Sequence, residues 1–327
     1  MTVKYVSNPE LPIIKEGWKG NAVNKKTFLN ENGPHKVNFK DFLRWQLYQN
    51  PQKNERKNDP YHADFFPNDS FMKSGEDVIL WLGHSSFYIR LGGVTFLTDP
   101  AYFDFPTRAR RVPIPCSVDC FKYADYLLVS HLHHDHADMR SLRKIFKGNK
   151  RTEILGPLES HSLLGHFSNK IQEAGWFQKY NTKADVNVYF LPSYHWSRMH
   201  IFDNNHSLWG SFIIQGNGKT IYFGGDTAQG DHFKEIAALF PKIDYALLPI
   251  GAYKPRFINR YVHMSPEEAV DAAAALNAKH LVPMHYGTYP MGREPISEPI
   301  RIIREMDEDG EISCILDCPA IGEELFI

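Results

Sequence analysis

The sequence predicts an α/β protein in which two mixed β-sheets lie between outer layers of helices. Three observations support this fold class. From residue 77 onward, short apolar runs typical of strands alternate with segments typical of helices. Gly92-Gly93 separates two such runs and fits a two-residue hairpin turn. Ser265, Pro266 and Glu268 fit the N-cap, the first helical position and the acid of a capping box, which together mark a helix start.

The order of the elements follows from the same patterns. We expect strands over the apolar runs at 78–82, 86–91, 94–98, 126–129, 154–155, 188–191, 211–214, 220–223 and 245–249. We expect helices over 158–167, 232–240 and 266–277, and one that starts at 138 or 139 and ends at 146. Hairpins near the start and helices between the later strands favour two sheets sandwiched between helical layers.

Residues 1–76 differ from the rest of the chain in composition and in hydrophobic periodicity. They are rich in Asn, Lys and Pro and lack sustained periodicity, apart from a helix-like piece at 39–48. A disordered tail is the alternative, but this segment carries aromatic side chains that need burial, namely Trp18, Phe28, Phe39, Trp45 and Tyr48. We therefore expect 1–76 to be an extension that wraps over one core domain formed by 77–327.

Composition and charge exclude several classes of protein. The formal net charge of −1 gives no electrostatic reason to expect nucleic-acid binding. No stretch reaches the roughly 18 apolar residues that a membrane-spanning helix needs, and residues 1–15 lack the pattern of a secretory signal. We therefore predict a cytoplasmic protein. The pairs Cys116/Cys120 and Cys314/Cys318 are then expected to be reduced thiols, since a zinc knuckle favours closer spacing.

The stretch Ser130–His136 carries four imidazoles and one carboxylate directly after an apolar run. Neutral imidazole and carboxylate are the usual ligands of zinc and similar metals. Loops at strand ends are also where ligands bind in α/β sheets. The spacing allows His131 and His133 to face one metal while Asp135 and His136 face a neighbouring one. The stretch therefore predicts half of a two-metal site.

Three further polar residues follow apolar runs and would complete this site. They are His195, Asp226 and His285, and the glycines at 224–225 allow close approach of the backbone before Asp226. A single polar residue after a strand is more often a turn former. Together with the cluster at 131–136, the three residues supply enough ligands for two metals that share a carboxylate.

The motifs Ser-His-Leu-His-His-Asp-His at 130–136, His195, Gly-Gly-Asp-Thr at 224–227 and His285 resemble the metallo-β-lactamase superfamily. This resemblance implies an αββα sandwich with a two-metal site at one edge. A second set of motifs is similar to the N-acyl-phosphatidylethanolamine phospholipase D branch, which hydrolyses a phosphodiester with two zinc ions. That set comprises Trp81–Ser86, Leu97–Pro100, His195–Ser197, Leu208–Ser211, Pro249–Arg256 and His263–Ala269.

The resemblance also implies a division of the ligands between two divalent metal ions. One metal would be held by His131, His133 and His195. The second would be held by Asp135, His136 and His285, and Asp226 would bridge the two. His134 occupies a variable position of the motif and is not counted as a ligand. Zinc is the first choice for this set of nitrogen and oxygen ligands, which iron or manganese would also accept.

The mechanism expected from such a pair is attack of an activated, metal-bridging hydroxide on phosphorus. Asp135 would orient this nucleophile as well as bind metal. His263 would hydrogen-bond the substrate or protonate the leaving oxygen, and a structural role beside the helix cap is the alternative.

Four other residues have expected supporting roles. His84 and Asp99 would lie behind the ligands, with Asp99 accepting the outer N–H of a ligating histidine. The alternative for Asp99 is a turn former before Pro100. Tyr253 and Arg256 could clamp a phosphate, although a solvated loop explains them equally simply.

The function predicted from these residues is a metal-dependent phosphodiesterase of the phospholipase D type, acting on a small-molecule or lipid phosphodiester such as an N-acylated phospholipid. A lactonase or amidase of the same fold, a nuclease and a non-catalytic metal-binding protein are the alternatives. The aromatic loops at 61–71 and 102–105 could form an acyl groove or a peripheral membrane contact, or simply pack. A homodimer through the N-terminal apolar residues is left open.

Overall fold

The computed structural model describes residues 3–30, 39–105, 108–168, 170–200 and 202–327. The side chain of Phe39, which we expected to be buried, lies outside this description. In the described part of the chain, every helix is too short or too polar to cross a membrane.

The strands occupy most of the predicted apolar runs. They are β1 Lys4–Val6, β2 Asn21–Asn24, β3 Thr27–Phe28, β4 Val78–Gly83, β5 Ser86–Leu91, β6 Val94–Thr98, β7 Tyr126–Leu128, β8 Glu153–Pro157, β9 Ile171–Ala174, β10 Gln178–Lys179, β11 Val186–Leu191, β12 Ser211–Gly216, β13 Lys219–Phe223, β14 Ile243–Pro249, β15 Ala278–Met284, β16 Ile315–Leu316 and β17 Glu324–Phe326. The predicted hairpin at Gly92-Gly93 is confirmed, because β5 and β6 pair antiparallel with Leu91 opposite Val94.

The helices agree less closely with prediction. They are α1 Phe39–Leu47, α2 Lys53–Asn58, α3 Met139–Phe146, α4 His161–Leu164, α5 His232–Leu239, α6 Arg256–Asn259, α7 Pro266–Ala275 and α8 Glu298–Glu308, with 3₁₀ helices at Ser70–Met72 and Val118–Tyr123. The predicted helix at 158–167 is wrong in length. Leu158 instead donates its N–H to the carbonyl of Ala174, the last residue of β9, and Gly165 follows the last helical residue.

Two seven-stranded sheets form the centre of the protein. Their strand orders are β17-β4-β5-β6-β7-β8-β9 and β10-β11-β12-β13-β14-β15-β16. Each sheet has an antiparallel part joined to a parallel part. The parallel strands are β6 to β9 in the first sheet and β13 to β16 in the second. Because the carboxyl ends of parallel strands lie at one edge of a sheet, the loops that follow them can meet.

The main core lies between the two sheets. Side chains alternate along β4 and β5, so Trp81 and Phe87 face the other sheet while Leu80 faces outward. The rings of Phe87 and Phe223 are 6.4 Å apart across the interface between the sheets. Helix α3 covers the outer face of the first sheet, and α5, α7 and α8 cover that of the second. The predicted α/β sandwich is therefore confirmed.

The N-terminal segment contacts the core by hydrogen bonds as well as by apolar packing. Its strands β1 to β3 form a separate small sheet. Gln178 donates to the carbonyl of Asn8 at 2.7 Å, and Ile14 donates its N–H to Phe177 O at 2.8 Å. Phe28 is buried as expected, but the expectation for Trp45 is wrong because its side chain is 40% exposed. The boundary at residue 76 stays a prediction.

The capping box at the start of α7 is confirmed. The Ser265 hydroxyl accepts the backbone N–H of Glu268 at 3.4 Å, and the Glu268 carboxylate accepts the N–H of Ser265 at 3.0 Å. Pro266 has no N–H, so the first turn leaves three backbone N–H groups without an intrahelical acceptor, and the capping box satisfies two of them.

Replacing Ser265 with alanine is expected to lower the free energy of unfolding by about 1 kcal/mol, because one N–H of the first turn loses its acceptor. Urea denaturation followed by circular dichroism measures this change. The exposed hydroxyl of Ser162 in α4 offers a matched control, and Ser162→Ala should change the free energy of unfolding by less than about 0.5 kcal/mol. Equal stability of Ser265→Ala and the wild type would show that the cap contributes nothing.

Candidate metal centre

The predicted ligands meet at the edge where strands of both sheets end. Ser130–His136 follows β7, Asp226 follows β13 and His285 follows β15. The glycines before Asp226 allow the close approach that the sequence predicts. A Cβ on Gly225 would lie 2.8 Å from the Ser130 Cβ, and Gly225 has a φ of +56°. Any side chain at Gly225 would therefore push the two loops apart.

Three histidines form the first group. His131 Nε2 lies 2.8 Å from His133 Nδ1, and His195 Nε2 lies 3.2 Å from the same atom. The outer nitrogen of His195 donates to the carbonyl of Val262 at 2.9 Å. Burial lowers the pKa of His131 and His195 well below the usual imidazole value and that of His133 to about 4. All three rings are therefore neutral and offer lone pairs to one point.

A second group lies beside the first and contains Asp135, His136 and His285. Asp135 Oδ2 is 3.8 Å from His136 Nε2 and 3.7 Å from His285 Nε2. His84 Nε2 contacts the same carboxylate oxygen at 3.1 Å. The nitrogen and oxygen atoms of these four residues lie within 4.8 Å of one another, which is a spacing that one cation can span.

Asp226 stands between the two groups. Its Oδ2 lies 3.2 Å from His136 Nε2 and 3.7 Å from His195 Nε2, while its Oδ1 lies 3.2 Å from His285 Nε2. A single carboxylate thus faces histidines of both groups. This is the position that a bridging ligand requires.

The residues present fit a pair of divalent cations. Among the described residues, the buried atoms His136 Nε2, His285 Nε2 and Asp226 Oδ1 have no hydrogen-bond partner, which is costly unless another group binds them. Burial disfavours the charged form of His136, but Asp226 and Asp135 outweigh it and raise the pKa of that ring well above its usual value. A point where carboxylates favour positive charge also suits a metal ion.

Asp99 and His84 each contact one of the predicted metal ligands, namely His136 and Asp135. Asp99 Oδ2 lies 2.7 Å from His136 Nδ1, which directs the Nε2 of that ring towards Asp226. The same carboxylate accepts the N–H and the hydroxyl of Ser130 at 2.7 and 2.6 Å. The backbone is strained here, since four residues other than glycine have positive φ: His84 +56°, Asp99 +32°, Ala252 +60° and His285 +63°.

The structure places two of the predicted residues away from the metal centre. Tyr253 is buried and its hydroxyl donates to Glu298, while Arg256 forms an ion pair with Glu268. Neither residue lines the cavity beside the metal groups, so a phosphate clamp by these side chains does not fit the geometry. His263 does line that cavity, and its Nδ1 lies 3.7 Å from Asp226 Oδ2.

The cavity has a volume of about 900 Å³, and Asp226 and His263 are among its lining residues. Its walls also contain residues to which the sequence gave no role in the site, including Met139, Arg140, Arg198, Met199 and Met291. Sequence reasoning also missed Thr288, whose hydroxyl accepts the N–H of His84 at 2.7 Å. These residues come from separate loops, so no local pattern joins them.

The predicted aromatic loops mainly pack. Phe71 is fully buried and Tyr102 is 4% exposed, whereas Phe66 is 56% exposed. Of the aromatic residues at 102–105, Phe105 lines the cavity and contacts the Tyr289 ring at 4.7 Å.

Comparisons with known proteins agree with this geometry. The family described as Beta-lactamase superfamily domain matches residues 95–286. The N-acyl-phosphatidylethanolamine-hydrolyzing phospholipase D 1 of Caenorhabditis elegans is 31% identical, over 82% of this chain and 81% of the relative. The mitochondrial N-acyl-phosphatidylethanolamine-hydrolyzing phospholipase D of Saccharomyces cerevisiae is 30% identical, over 74% of this chain and 54% of the relative.

A solved structure shares the fold. The metallo hydrolase Igni18 of Ignicoccus hospitalis superposes with a TM-score of 0.60 and 22% identity, covering 77% of this chain and 98% of that structure. The chain therefore belongs to the metallo-β-lactamase superfamily, in the branch that resembles N-acyl-phosphatidylethanolamine phospholipase D. It is a metal-dependent hydrolase of this fold that uses divalent metal. The resemblance predicted from the motifs is confirmed, and so is a metal-dependent hydrolase, whereas the phosphodiesterase activity and the pair of metal ions stay predictions.

Proposed function

We propose that this protein is a phosphodiesterase of the phospholipase D type that acts on N-acyl-phosphatidylethanolamine-like lipids with two metal ions, zinc first among them. The observation that carries the proposal is the pair of histidine groups sharing Asp226 at the floor of the large cavity. The likeness to the enzymes of Caenorhabditis elegans and Saccharomyces cerevisiae supports the choice of a lipid phosphodiester.

The ligand roles follow the two groups. His131, His133 and His195 would hold one ion, and Asp135, His136 and His285 the other, with Asp226 shared. When bound, two such ions stabilise negative charge on a phosphoryl group and make water acidic enough to attack at neutral pH. His84 holds Asp135 in place through the 3.1 Å contact between Nε2 and Oδ2. This contact leaves the other oxygen of Asp135 to position the nucleophile.

His263 is proposed to donate a hydrogen bond to the leaving oxygen from a neutral ring, because burial lowers the pKa of this imidazole to about 4. Its ring lines the cavity, and it stands between the rings of His195 and His285 at centroid distances of 5.3 and 5.4 Å. Among the described residues, its buried Nδ1 has no hydrogen-bond partner. A side chain in this position reaches a substrate bound over Asp226 without leaving the cavity wall.

The lining of the cavity suits a lipid phosphodiester. Phe105, Trp196 and Met199 offer an apolar wall for an acyl chain, while Arg140 and Arg198 lie at the exposed rim. Guanidinium groups favour phosphate oxygens, so the rim complements an anionic headgroup. The proposal includes a cytoplasmic protein that meets its substrate at the surface of a membrane.

The test is a substrate panel with the purified protein after metal removal and again after zinc addition. An N-acyl-phosphatidylethanolamine in mixed micelles should be hydrolysed only with metal, and faster than a lactone, a β-lactam or a short soluble diester. Greater turnover of the lactone than of either diester would contradict the proposal. If the lipid and the short diester are hydrolysed equally fast, the proposed preference for lipids is wrong, while the proposed phosphodiesterase activity is supported.

Alanine variants of the adjacent residues His133 and His134 test whether the measured hydrolysis comes from this protein or from a contaminating hydrolase. His133 belongs to the first group, whereas His134 is exposed and belongs to neither group. His133→Ala should lose both the metal-dependent activity and bound metal. His134→Ala should keep its metal content. Full activity in His133→Ala would assign the measured hydrolysis to another protein.

A further inference from the structure

A second cavity, of about 510 Å³, lies where the N-terminal segment packs near the start of α5. Within the described part of the chain, it shares no lining residue with the metal-centre cavity. Its lining combines aromatic rings with acidic side chains, and Lys15 also belongs to it. The roles proposed above for the metal centre use none of these residues. We call this space the ammonium cavity, because the ammonium group of Lys15 contacts its aromatic and acidic side chains.

The aromatic walls already surround a positive charge. Trp18 and Phe177 meet edge to face, with ring centroids 4.8 Å apart and planes at 71°. The Lys15 ammonium lies 4.5 Å from the Phe177 centroid and 5.3 Å from the Trp18 centroid. Both distances are within the range in which an aromatic face attracts a cation. Trp176 and Tyr194 complete the aromatic lining.

Acidic side chains supply the matching charge. Glu235 forms an ion pair with the Lys15 ammonium, and Asp231 also lines the cavity. Burial, followed by the negative charges of Asp231 and Glu235, raises the pKa of Tyr194, which indicates that both carboxylates lie close to that ring. A cation in the cavity would therefore meet two carboxylates as well as the aromatic faces.

A buried polar group in the lining lacks a partner. His232 is 3% exposed and its Nε2 lies 3.1 Å from the Thr227 hydroxyl. Among the described residues, its Nδ1 has no hydrogen-bond partner. Burial lowers the pKa of His232 to about 3, so the ring is neutral and does not repel a cation. A neutral ring with a free nitrogen can instead bond a polar substituent on that cation.

We propose that the ammonium cavity is a binding site for a small organic ammonium ion, and that Lys15 is its built-in occupant. The ligand would displace the Lys15 side chain, which is 31% exposed and flexible, and would pair with Glu235 beside the rings of Trp18 and Phe177. The volume exceeds what a single lysine ammonium fills, so a larger head such as trimethylammonium has room. This inference is independent of the reaction proposed for the metal centre.

The experiment is a titration with choline chloride, followed by calorimetry and by tryptophan fluorescence, with sodium chloride keeping the ionic strength constant. The wild type should bind choline, and Lys15→Ala should bind it about five- to tenfold more tightly because the competing ammonium is gone. The neutral isostere 3,3-dimethyl-1-butanol should bind neither protein. Ethanolamine hydrochloride tests whether a primary ammonium suffices, as the Lys15 contacts imply.

Two further variants separate recognition from folding. Glu235→Gln in the Lys15→Ala background should lose about tenfold in choline affinity, because the paired charge is removed while the rings remain. Lys279→Ala breaks a lysine–aspartate pair away from the cavity and should leave binding unchanged. If Lys15→Ala destabilises the N-terminal segment, Lys15→Gln is used in its place, because it removes the charge and keeps most of the length of the side chain. Equal affinity for choline and its isostere, or no gain from either Lys15 variant, would overturn the proposal.

Discussion

Asp226→Asn is expected to remove at least one of the two metal ions and to lower kcat/KM for the phosphodiester by about a thousandfold or more. The amide keeps the size of the carboxylate but removes the one negative charge that lies within 3.7 Å of His136, His195 and His285 together. Both cations would lose the ligand that they share. Elemental analysis of the purified variant and steady-state kinetics measure the two effects.

Asp104→Asn is the matched control for this change. Asp104 lines the same cavity, but its carboxylate accepts the N–H of Arg110 at 2.8 Å and belongs to neither ligand group. The control should keep the metal content of the wild type. Two bound ions in Asp226→Asn, with the activity of the wild type, would show that Asp226 does not bridge.

The positions of these ligands were predictable because polar residues at strand ends leave a local trace. Asp226 and His285 each follow a run of apolar residues, and parallel strands bring such ends to one edge. The same logic located the strands themselves, whose inward and outward faces are both buried. Burial on both faces turns a strand into a continuous apolar run, which sequence shows clearly.

Contacts between side chains that are far apart in the sequence could not be predicted in this way, because no local pattern marks them. Tyr253 and Arg256 stand in a motif that predicted a place in the site, yet their partners Glu298 and Glu268 belong to helices further along the chain. Helix α8 itself was not anticipated, and neither was β17, which pairs antiparallel with β4. The positive φ angles around the site are equally invisible, because they depend on packing between loops.

For Asp99, the position in the chain could be predicted from the sequence, but the full set of side-chain contacts could not. Its position before Pro100 at the end of β6 fitted two roles, an acceptor for the outer N–H of a ligating histidine and a turn former. The structure buries the carboxylate completely and surrounds it with the ring of His136 and with Ser130. A carboxylate without exposure to solvent must have its oxygens satisfied, and these contacts satisfy them.

Asp99→Asn is expected to weaken zinc binding by about ten- to hundredfold, because the amide can hold the wrong tautomer of His136. A carboxylate accepts from Nδ1–H and leaves the lone pair on Nε2, whereas an amide N–H donates to Nδ1 and moves the proton to Nε2. That nitrogen lies 3.2 Å from Asp226 Oδ2, on the metal side of the ring. Competition with a chelating indicator dye measures the zinc Kd.

The control for Asp99→Asn is a second buried aspartate at the opposite end of β7. Asp125 accepts from Thr95 and pairs with Lys183 at 2.6 Å and with Arg151 at 2.8 Å. Asp125→Asn should lower the melting temperature without changing the zinc Kd, because these contacts do not reach the histidines. Asp99→Asn should change the zinc Kd at a temperature where circular dichroism shows both variants folded. If both variants weaken zinc equally, the effect of Asp99 belongs to general stability and its role in orienting His136 is wrong.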